Sequence, residues 1–228
     1  MDCKSIKSHV SVFSSYGTIK PCCSIDIDNK FEDWESSSIF EIDNLNQSLE
    51  IPVRKNLYES LSKNWIDECR YCENLENQNF ISTRQNYNDN FEGHGLEDLQ
   101  IALDYYCNMT CRSCRPGVSS RWDSLTEEIE DLKQIDKHHY NDIGNHKAYV
   151  IRLKEVLRNT DFSNIKNVRL IGGEPFYSVN LKWFLKLLNE KTNIKNVKFS
   201  CNTNCSVLPD AEVLELLKKF KSIKIDIS

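Results

Sequence analysis

The sequence predicts an α/β fold built on a parallel sheet, because short apolar strands alternate with amphipathic helices from residue 99 onward. The chain has 228 residues, which is enough to bury a substantial core. The first 98 residues lack this alternation and are rich in Asn, Ser, Asp and Glu. We therefore expect a small α+β module to precede the parallel sheet.

The apolar pattern sets the position of each predicted element in the second part of the chain. Strands are expected at residues 99–103, 168–171, 197–199 and 223–228. Between the first two strands, the spacing of apolar residues predicts one helix over residues 119–136 and a second that buries Tyr149, Leu153, Val156 and Leu157. Two later helices are expected, one capped by Asn180 and burying Leu181, Phe184, Leu185 and Leu188, the other opened by Pro209 and burying Val213, Leu214, Leu217 and Phe220.

The first 98 residues contain fewer structural signals. A hairpin is expected around Tyr16-Gly17-Thr18, and an amphipathic helix carries Leu57, Leu61 and Trp65 toward Cys69. Residues 76–95 are polar and Asn-rich, which predicts a mobile linker. The expected division is an N-terminal module at 1–75, a linker at 76–98 and an α/β domain at 99–228. Because the chain stops in its fourth strand, we expect this domain to be incomplete and the sequence to be C-terminally truncated.

Charge and hydropathy narrow the range of partners. The chain has 29 basic and 34 acidic residues, a formal charge of −5, and no long run of basic residues, so nucleic acid is not expected as a partner. It contains neither a stretch long enough to span a membrane nor an N-terminal secretion signal. These features predict a cytoplasmic protein without a membrane partner.

The ten cysteines are the most informative residues for chemistry. Nine of them fall in closely spaced sets, which favours metal ligation over disulfides in a chain without an export signal. Cys107, Cys111 and Cys114 form a CxxxCxxC triplet just after the first predicted strand, one thiolate short of a complete cubane set. Such a set leaves one iron open to a small molecule, which indicates an enzyme.

Other candidate ligands are predicted to have ordinary structural roles. Cys201 and Cys205 flank a strand end and are expected to be small buried residues. The histidines His138, His139 and His146 lie in a polar segment and are expected to be solvated.

Two motifs carry a resemblance to a known family. The run from Cys107 to Cys114, followed by Arg115-Pro116-Gly117, resembles the cluster loop of the radical S-adenosylmethionine (radical SAM) superfamily. The second strand of the predicted domain ends in Gly172-Gly173-Glu174-Pro175, which is similar to the GGE motif of that family. Two glycines let a backbone approach a ligand closely, and a carboxylate beside them accepts hydrogen bonds from an ammonium group.

The resemblance implies a fold and a set of cofactors. The α/β domain would be the first half of a partial (β/α)6 TIM-like barrel, with a [4Fe–4S] cluster on Cys107, Cys111 and Cys114 and S-adenosylmethionine on the open iron. Gly172, Gly173 and Glu174 would bind the methionyl amine. Asn204 and Ser228 are further candidates for binding the cofactor, although Cys205 stands where many members have a glycine after Thr-Asn. Ser113 replaces an aromatic or large apolar residue that contacts adenine, and Tyr105 or Tyr106 is expected to take over that contact.

The resemblance extends to the N-terminal module. The spacing of Cys3, Gly17 and Cys22 is similar to the opening of SPASM and twitch modules, which hold auxiliary iron–sulfur clusters, although those modules usually follow the barrel. Cys69 and Cys72 add a CxxC pair, so four thiolates would complete an auxiliary cluster. Either Cys22 or the adjacent Cys23 would be the ligand. A structural zinc site on the same four cysteines is the alternative.

The function implied by the resemblance is reductive cleavage of S-adenosylmethionine to a 5′-deoxyadenosyl radical, which abstracts hydrogen from a peptide or a small polar substrate. A reductant such as flavodoxin or ferredoxin would supply the electron, and no side chain is assigned as a catalytic residue. Two alternatives are an iron–sulfur electron-transfer protein without radical chemistry and a zinc-binding interaction module.

Overall fold

A six-stranded, mostly parallel sheet forms the centre of the fold. The computed structural model describes residues 1–13, 17–22, 24–25, 38–114, 118–129 and 146–228. The strands are β1 (His9–Val12), β2 (Ile19–Lys20), β3 (Asp98–Ala102), β4 (Asn167–Ile171), β5 (Lys198–Thr203) and β6 (Ser222–Ile227). Their order across the sheet is β2-β1-β3-β4-β5-β6, and only the β1–β2 pair is antiparallel.

Helices pack around this sheet throughout the described part of the chain. They are α1 (Lys4–Ser8), α2 (Pro52–Lys63), α3 (Arg70–Asn77), α4 (Thr83–Asn90), α5 (Ser120–Glu128), α6 (His146–Asn159), α7 (Leu181–Lys191) and α8 (Ala211–Leu217). Short 3-10 turns occupy Gln47–Leu49, Asp67–Cys69 and Ile194–Asn196. Within the described ranges, none of the helices has both the length and the apolar character needed to cross a bilayer.

The predicted α/β class and its four parallel strands are confirmed. Strands β3 to β6 lie side by side in chain order, and their registers align Leu99 with Val168 and Val168 with Phe199. Along β4, Val168 and Leu170 are buried whereas Arg169 between them is exposed, as the alternation of side chains across a strand requires. One face of the sheet is therefore apolar and the other is polar.

The helices α6, α7 and α8 cover the apolar face. Their inward side chains join the strand residues in one buried cluster that includes Tyr149, Leu153, Phe184, Leu188 and Val213. Two details differ from the predictions for α8. The helix begins after Asp210, whose side chain accepts a hydrogen bond from the amide of Val213, rather than at Pro209. Leu214 is exposed, and Leu216 takes the inward position.

The N-terminal residues do not stand apart from the sheet, contrary to the expected division. Strand β1 pairs in parallel with β3, with Val10 opposite Leu99, and the predicted hairpin joins β1 to β2. The expected boundary between residues 75 and 99 is thus crossed by main-chain hydrogen bonds within one sheet. Strand β1 has only four residues, two of them polar, and so short a pattern does not show which sheet a strand joins.

The segment expected to be a mobile linker contains helix α4. Its N-terminus has a capping box, in which the Ser82 hydroxyl accepts from the amide of Gln85 and the Gln85 side chain accepts from the amide of Ser82. The side chain of Asn88 accepts from the amide of Lys4, which ties α4 to α1. The sequence did not predict this helix, because the helix has no buried apolar stripe and is held mainly by hydrogen bonds.

The helix predicted over residues 119–136 is present as α5 over its first half. It ends at Glu128, with Ile129 in an extended conformation and exposed. The remaining residues of that prediction, with Leu132 and Ile135, lie outside the described residues, as do His138 and His139.

Candidate functional site

The carboxyl edge of the parallel sheet collects the residues that the sequence singled out in the α/β domain. The cysteine loop follows β3, Gly172–Glu174 follows β4, Asn204 follows β5 and Ser228 follows β6. Parallel strands present their carboxyl ends along one edge, where α/β proteins place their ligand sites.

The two glycines allow the end of β4 to lie directly against the backbone of the cysteine loop. Both have positive φ, 75° for Gly172 and 45° for Gly173. A Cβ on Gly172 would lie 2.9 Å from the Cβ of Ala102, and a Cβ on Gly173 would lie 2.4 Å from the carbonyl oxygen of Tyr106. Only glycine combines these dihedral angles with this spacing. The glycines thus permit contact between the two motifs.

Replacement of Gly173 by Ala is expected to destabilise the fold and displace the cysteine loop. The new Cβ would meet main-chain atoms of Tyr105 and Tyr106, which have little freedom to move. Strain at positive φ and the clash together predict a loss of about 2 kcal/mol or more in the free energy of unfolding, measurable by denaturant titration. Gly95→Ala is the matched control, since Gly95 also has positive φ but its added Cβ would meet only the side chain of Asn164. An equal loss in both variants would contradict the account.

The carboxylate of Glu174 joins three segments of the site. Its side chain is 2% exposed and accepts hydrogen bonds from the hydroxyl of Thr203 at 2.6 Å, the amide of Asn204 at 2.7 Å and the amide of Phe176 at 3.1 Å. Its own amide donates to the carbonyl of Tyr106 at 2.7 Å. The sequence predicted a carboxylate that receives an ammonium group, whereas the structure has it bound to the end of β5.

Glu174→Gln tests this bracing role with little change in volume. The amide that replaces one carboxylate oxygen is a donor, so one of the buried donors of Thr203 or Asn204 would face another donor. An unsatisfied buried group predicts a loss of about 1–3 kcal/mol in the free energy of unfolding. Chemical denaturation of the variant measures it, and unchanged stability would show that the three hydrogen bonds do not hold these segments together.

Asp104 is a site residue that the sequence analysis missed. Its buried carboxylate accepts hydrogen bonds from the hydroxyl of Ser178, from Nδ2 of Asn180 at 2.8 Å and from the amide of Tyr106 at 3.1 Å. Burial raises the pKa of Asp104 above its usual value. The prediction that Asn180 caps α7 with its side chain was wrong. That side chain instead links the start of α7 to the end of β3. The sequence signal that could have identified Asp104 is its position two residues after the end of β3.

The cysteine triplet lies on the open surface of this edge. Cys107 and Cys114 are half-buried and Cys111 is exposed. The carbonyl of Cys111 accepts hydrogen bonds from the amide of Cys114 and from Nε1 of Trp122, both at 3.0 Å. The hydroxyl of Ser120 accepts from the amide of Cys107 at 3.1 Å. These hydrogen bonds hold the loop through its backbone.

The chemistry of these donors suits an iron–sulfur cluster better than a lone metal ion. Three thiols on one short loop match the ligand type that such clusters require. Within the described ranges, no group of three or more His, Cys, Asp or Glu side chains is arranged to hold a single metal ion. Three thiolates on one loop are the donor type that an iron–sulfur cluster takes, so the residues present fit such a group.

The turn after β5 lies beside the cysteine loop. The side chain of Asn204 donates to Oδ1 of Asn108, and Asn108 in turn donates to the hydroxyl of Ser206 at 2.8 Å. The amide of Ser228 donates to the carbonyl of Thr203 at 3.0 Å. The structure therefore brings both further candidates, Asn204 and Ser228, to the same edge as the triplet.

The two cysteines near β5 have different environments. Cys201 is buried, as predicted, but Cys205 is exposed, which corrects the prediction for that residue. Cys205 has a φ of 55°, the left-handed conformation that a glycine at this point of a turn would adopt. Its amide donates to the Thr203 hydroxyl at 3.0 Å, so the turn keeps a glycine-like backbone without a glycine.

Aromatic residues line one side of the cysteine loop. The ring of Tyr105 lies 3.8 Å, centroid to centroid, from the ring of His146, while Tyr106 is exposed. The prediction that His146 is solvated was wrong, because its ring is buried among Tyr105, Tyr106 and Tyr149. Burial lowers the pKa of His146 to about 4, which keeps it neutral at pH 7. Of the two tyrosines proposed to contact adenine, Tyr106 is the more accessible.

The four N-terminal cysteines face one cavity at the opposite end of the sheet. Cys3 precedes α1, Cys22 follows β2, and Cys69 and Cys72 lie at the start of α3. All four line a cavity whose wall also includes Leu57, Leu61, Trp65 and Arg84. The fold thus brings together the four cysteines that the sequence spacing predicted as ligands, with Cys22 among them. Cys23 lies outside the described residues.

The charges around this cavity favour a bound metal centre. Burial raises the pKa of Cys3 to about 11 and that of Cys69 to about 12, and the neighbouring cysteines contribute to both shifts. Cys3 and Cys69 are therefore poor thiolates unless a cation binds them. The guanidinium of Arg84 supplies positive charge beside Cys3, Cys69 and Cys72. By donor type alone, four thiols suit either an iron–sulfur cluster or zinc.

Comparison with known protein families, with curated proteins and with solved structures found no match for this chain. The functional assignment therefore depends on the two cysteine sites, on the segments that surround them and on their chemistry.

Proposed function

We propose that this protein is a radical SAM enzyme with an auxiliary iron–sulfur site. One observation carries the proposal: the two sequence motifs, separated by more than 50 residues, meet at the carboxyl edge of the sheet. There the amides of Gly173 and Glu174 donate to the carbonyls of Val118 and Tyr106, on either side of the triplet. A pair of unrelated motifs would not need backbone contact through two glycines of positive φ.

The strand order supports a partial (β/α)6 barrel as the fold. Strands β3 to β6 are adjacent in chain order, as successive strands of a barrel are, and the order reverses where β1 pairs with β3. The described residues contribute four such strands after the N-terminal pair. In this arrangement the polar face of the sheet would be the interior of the barrel.

The protein's own residues would hold and orient the cofactors. When bound, the reduced cluster would supply one electron to S-adenosylmethionine, producing a 5′-deoxyadenosyl radical that abstracts hydrogen from the substrate. Cys107, Cys111 and Cys114 would ligate the cluster, and the exposed backbone at Gly172 would face the methionyl group. Glu174 would act indirectly, by fixing the Thr203–Asn204 turn against the same edge.

The polar face of the sheet supports a peptide or a small polar molecule as the substrate. One register row across five strands contains Ser11, Gln100, Arg169, Ser200 and Lys224. Parallel sheets are usually covered by apolar layers on both faces, so a row of polar side chains favours a face that contacts water or a polar ligand. Arg169 is exposed and donates to Oδ1 of Asn202 at 3.2 Å, which leaves its charge available to a substrate carboxylate.

The N-terminal cysteines would hold the auxiliary cluster, at the amino end of β1 and away from the triplet. A small acidic electron carrier such as flavodoxin or ferredoxin would supply electrons in the cytoplasm.

The test is an assay of cofactor cleavage. The protein is reconstituted anaerobically with iron and sulfide, reduced with dithionite and incubated with S-adenosylmethionine, and 5′-deoxyadenosine and methionine are measured by chromatography. Equimolar release of the two products supports the proposal. Iron–sulfur incorporation without either product would instead indicate an electron carrier, and zinc without iron would indicate an interaction module.

A further inference from the structure

Arg54 is a buried cation without a carboxylate partner among the residues that the structure describes. Its side chain is 1% exposed, although it belongs to α2, whose other charged residues face solvent. The guanidinium donates to the carbonyls of His9 at 2.7 Å, Ile6 at 3.1 Å and Lys20 at 3.4 Å. In the described part of the chain, no acidic side chain pairs with it, and its Nε is buried without a hydrogen-bond partner.

A buried charge of this kind is costly unless an anion compensates it. Backbone carbonyls solvate the guanidinium but bring no net negative charge. Burial lowers the pKa of Arg54 only to about 9, so the side chain is still charged at neutral pH. The fold therefore places a full positive charge in its interior, and no acidic side chain among the described residues balances it.

The position of Arg54 shows where the balancing charge would lie. Two of its three carbonyl partners belong to the segments that carry auxiliary cysteines: Ile6 lies three residues after Cys3, and Lys20 lies two residues before Cys22. Cys22 is the titratable group whose charge affects Arg54. On the same face of α2, Leu57 and Leu61 line the cysteine cavity itself. The guanidinium thus binds the backbone of the two segments that carry Cys3 and Cys22.

We propose that Arg54 is the internal counter-charge of an anionic, cysteine-ligated centre in this cavity and raises the reduction potential of that centre. This inference rests on the proposed auxiliary site. Four thiolates around an iron–sulfur core carry net negative charge, and reduction adds one more. A fixed cation favours the reduced form, so it shifts the potential upward. Arg54 is a positioning residue in this sense, since it acts on the centre through space without ligating it.

Arg84 differs from Arg54 because it has a carboxylate partner, so Arg54 is the residue whose replacement tests the inference. Arg84 also lies near the cysteines, but its guanidinium pairs with both carboxylate oxygens of Glu76. Glu76 therefore offsets much of the positive charge that Arg84 brings to the cysteines. Arg54 has no carboxylate partner among the described residues, so its charge is not offset in this way.

The experiment measures the midpoint potential of the auxiliary centre alone. The full chain carrying Cys107→Ala, Cys111→Ala and Cys114→Ala is reconstituted with iron and sulfide and titrated with spectroscopic detection. Arg54→Met in this background is expected to lower the ratio of reduced to oxidised centre at least tenfold at a fixed potential, which corresponds to about 59 mV for a one-electron couple. If Arg54→Met does not fold, Arg54→Gln takes its place, because it is neutral but still donates to a carbonyl.

Arg152→Met is the matched control. Arg152 also donates to backbone carbonyls, those of Ile39 and Ile42, but it lies away from the cysteine cavity. A potential lowered by the Arg54 substitution and unchanged by the Arg152 substitution supports the inference. Equal midpoint potentials in the parent chain, the Arg54→Met variant and the Arg152→Met variant would overturn the inference about Arg54 and leave the auxiliary site intact. Failure of the parent chain to form any iron–sulfur centre would overturn the auxiliary site and, with it, the inference.

Discussion

Replacing Cys111 with Ala is expected to abolish cleavage of S-adenosylmethionine and to remove about four iron atoms per chain. The thiol of Cys111 is exposed, and the structural contacts of this residue are made by its carbonyl, which accepts from Cys114 and Trp122. Alanine keeps that carbonyl, so the loop should retain its conformation while one of three ligands is lost. Product analysis and iron determination on the reconstituted variant measure both effects.

Cys205→Ala is the control for this experiment. Cys205 is also an exposed cysteine at the carboxyl edge of the sheet, but it belongs to the turn after β5. Its replacement should leave iron content unchanged and cleavage activity within about twofold of the wild type. Undiminished cleavage in Cys111→Ala would exclude the triplet as the site of the chemistry.

Replacing Cys69 and Cys72 together with Ala is expected to remove a different set of iron atoms. Both thiols line the N-terminal cavity, and two of the four proposed ligands would be lost at once. We expect iron content to fall by about one cubane while the triplet keeps its own cluster. Iron and sulfide determination, together with the response of the remaining cluster to S-adenosylmethionine, measures this result.

Cys201→Ala provides the control for a buried cysteine. Cys201 is buried in the main core and lies outside the cavity, so its replacement should change packing but not metal content. Retention of all iron in the Cys69→Ala, Cys72→Ala chain would refute the auxiliary cluster. Loss of zinc in place of iron would identify the site as a structural zinc centre.

Much of the α/β domain could be predicted because its elements bury regular apolar stripes. The strand residues Val168 and Leu170 and the helix residues Phe184 and Leu188 follow the periodicities of 2 and 3.6 that the sequence displays. The positions of Cys107 and Glu174 at one edge followed from the same rule, since each comes directly after a parallel strand.

Polar interactions account for most of what the sequence did not reveal. Helix α4 depends on the Ser82 capping box, and Asp104 acts through Ser178, which is 74 residues away. His146 lies in a polar stretch, yet its ring is buried by Tyr105 from another segment. Such contacts depend on tertiary arrangement and leave no periodic trace. The role of Arg54 belongs to this class, because an arginine in an amphipathic helix is expected to face solvent.

The association of the triplet with S-adenosylmethionine is the central claim, and electron paramagnetic resonance tests it most directly. Spectra are recorded on the anaerobically reconstituted, dithionite-reduced Cys69→Ala, Cys72→Ala chain, in which only the triplet would hold a cluster. We expect a reduced-cluster signal that changes when S-adenosylmethionine is added, because the cofactor binds the open iron. A signal that is the same with and without the cofactor would contradict the claim.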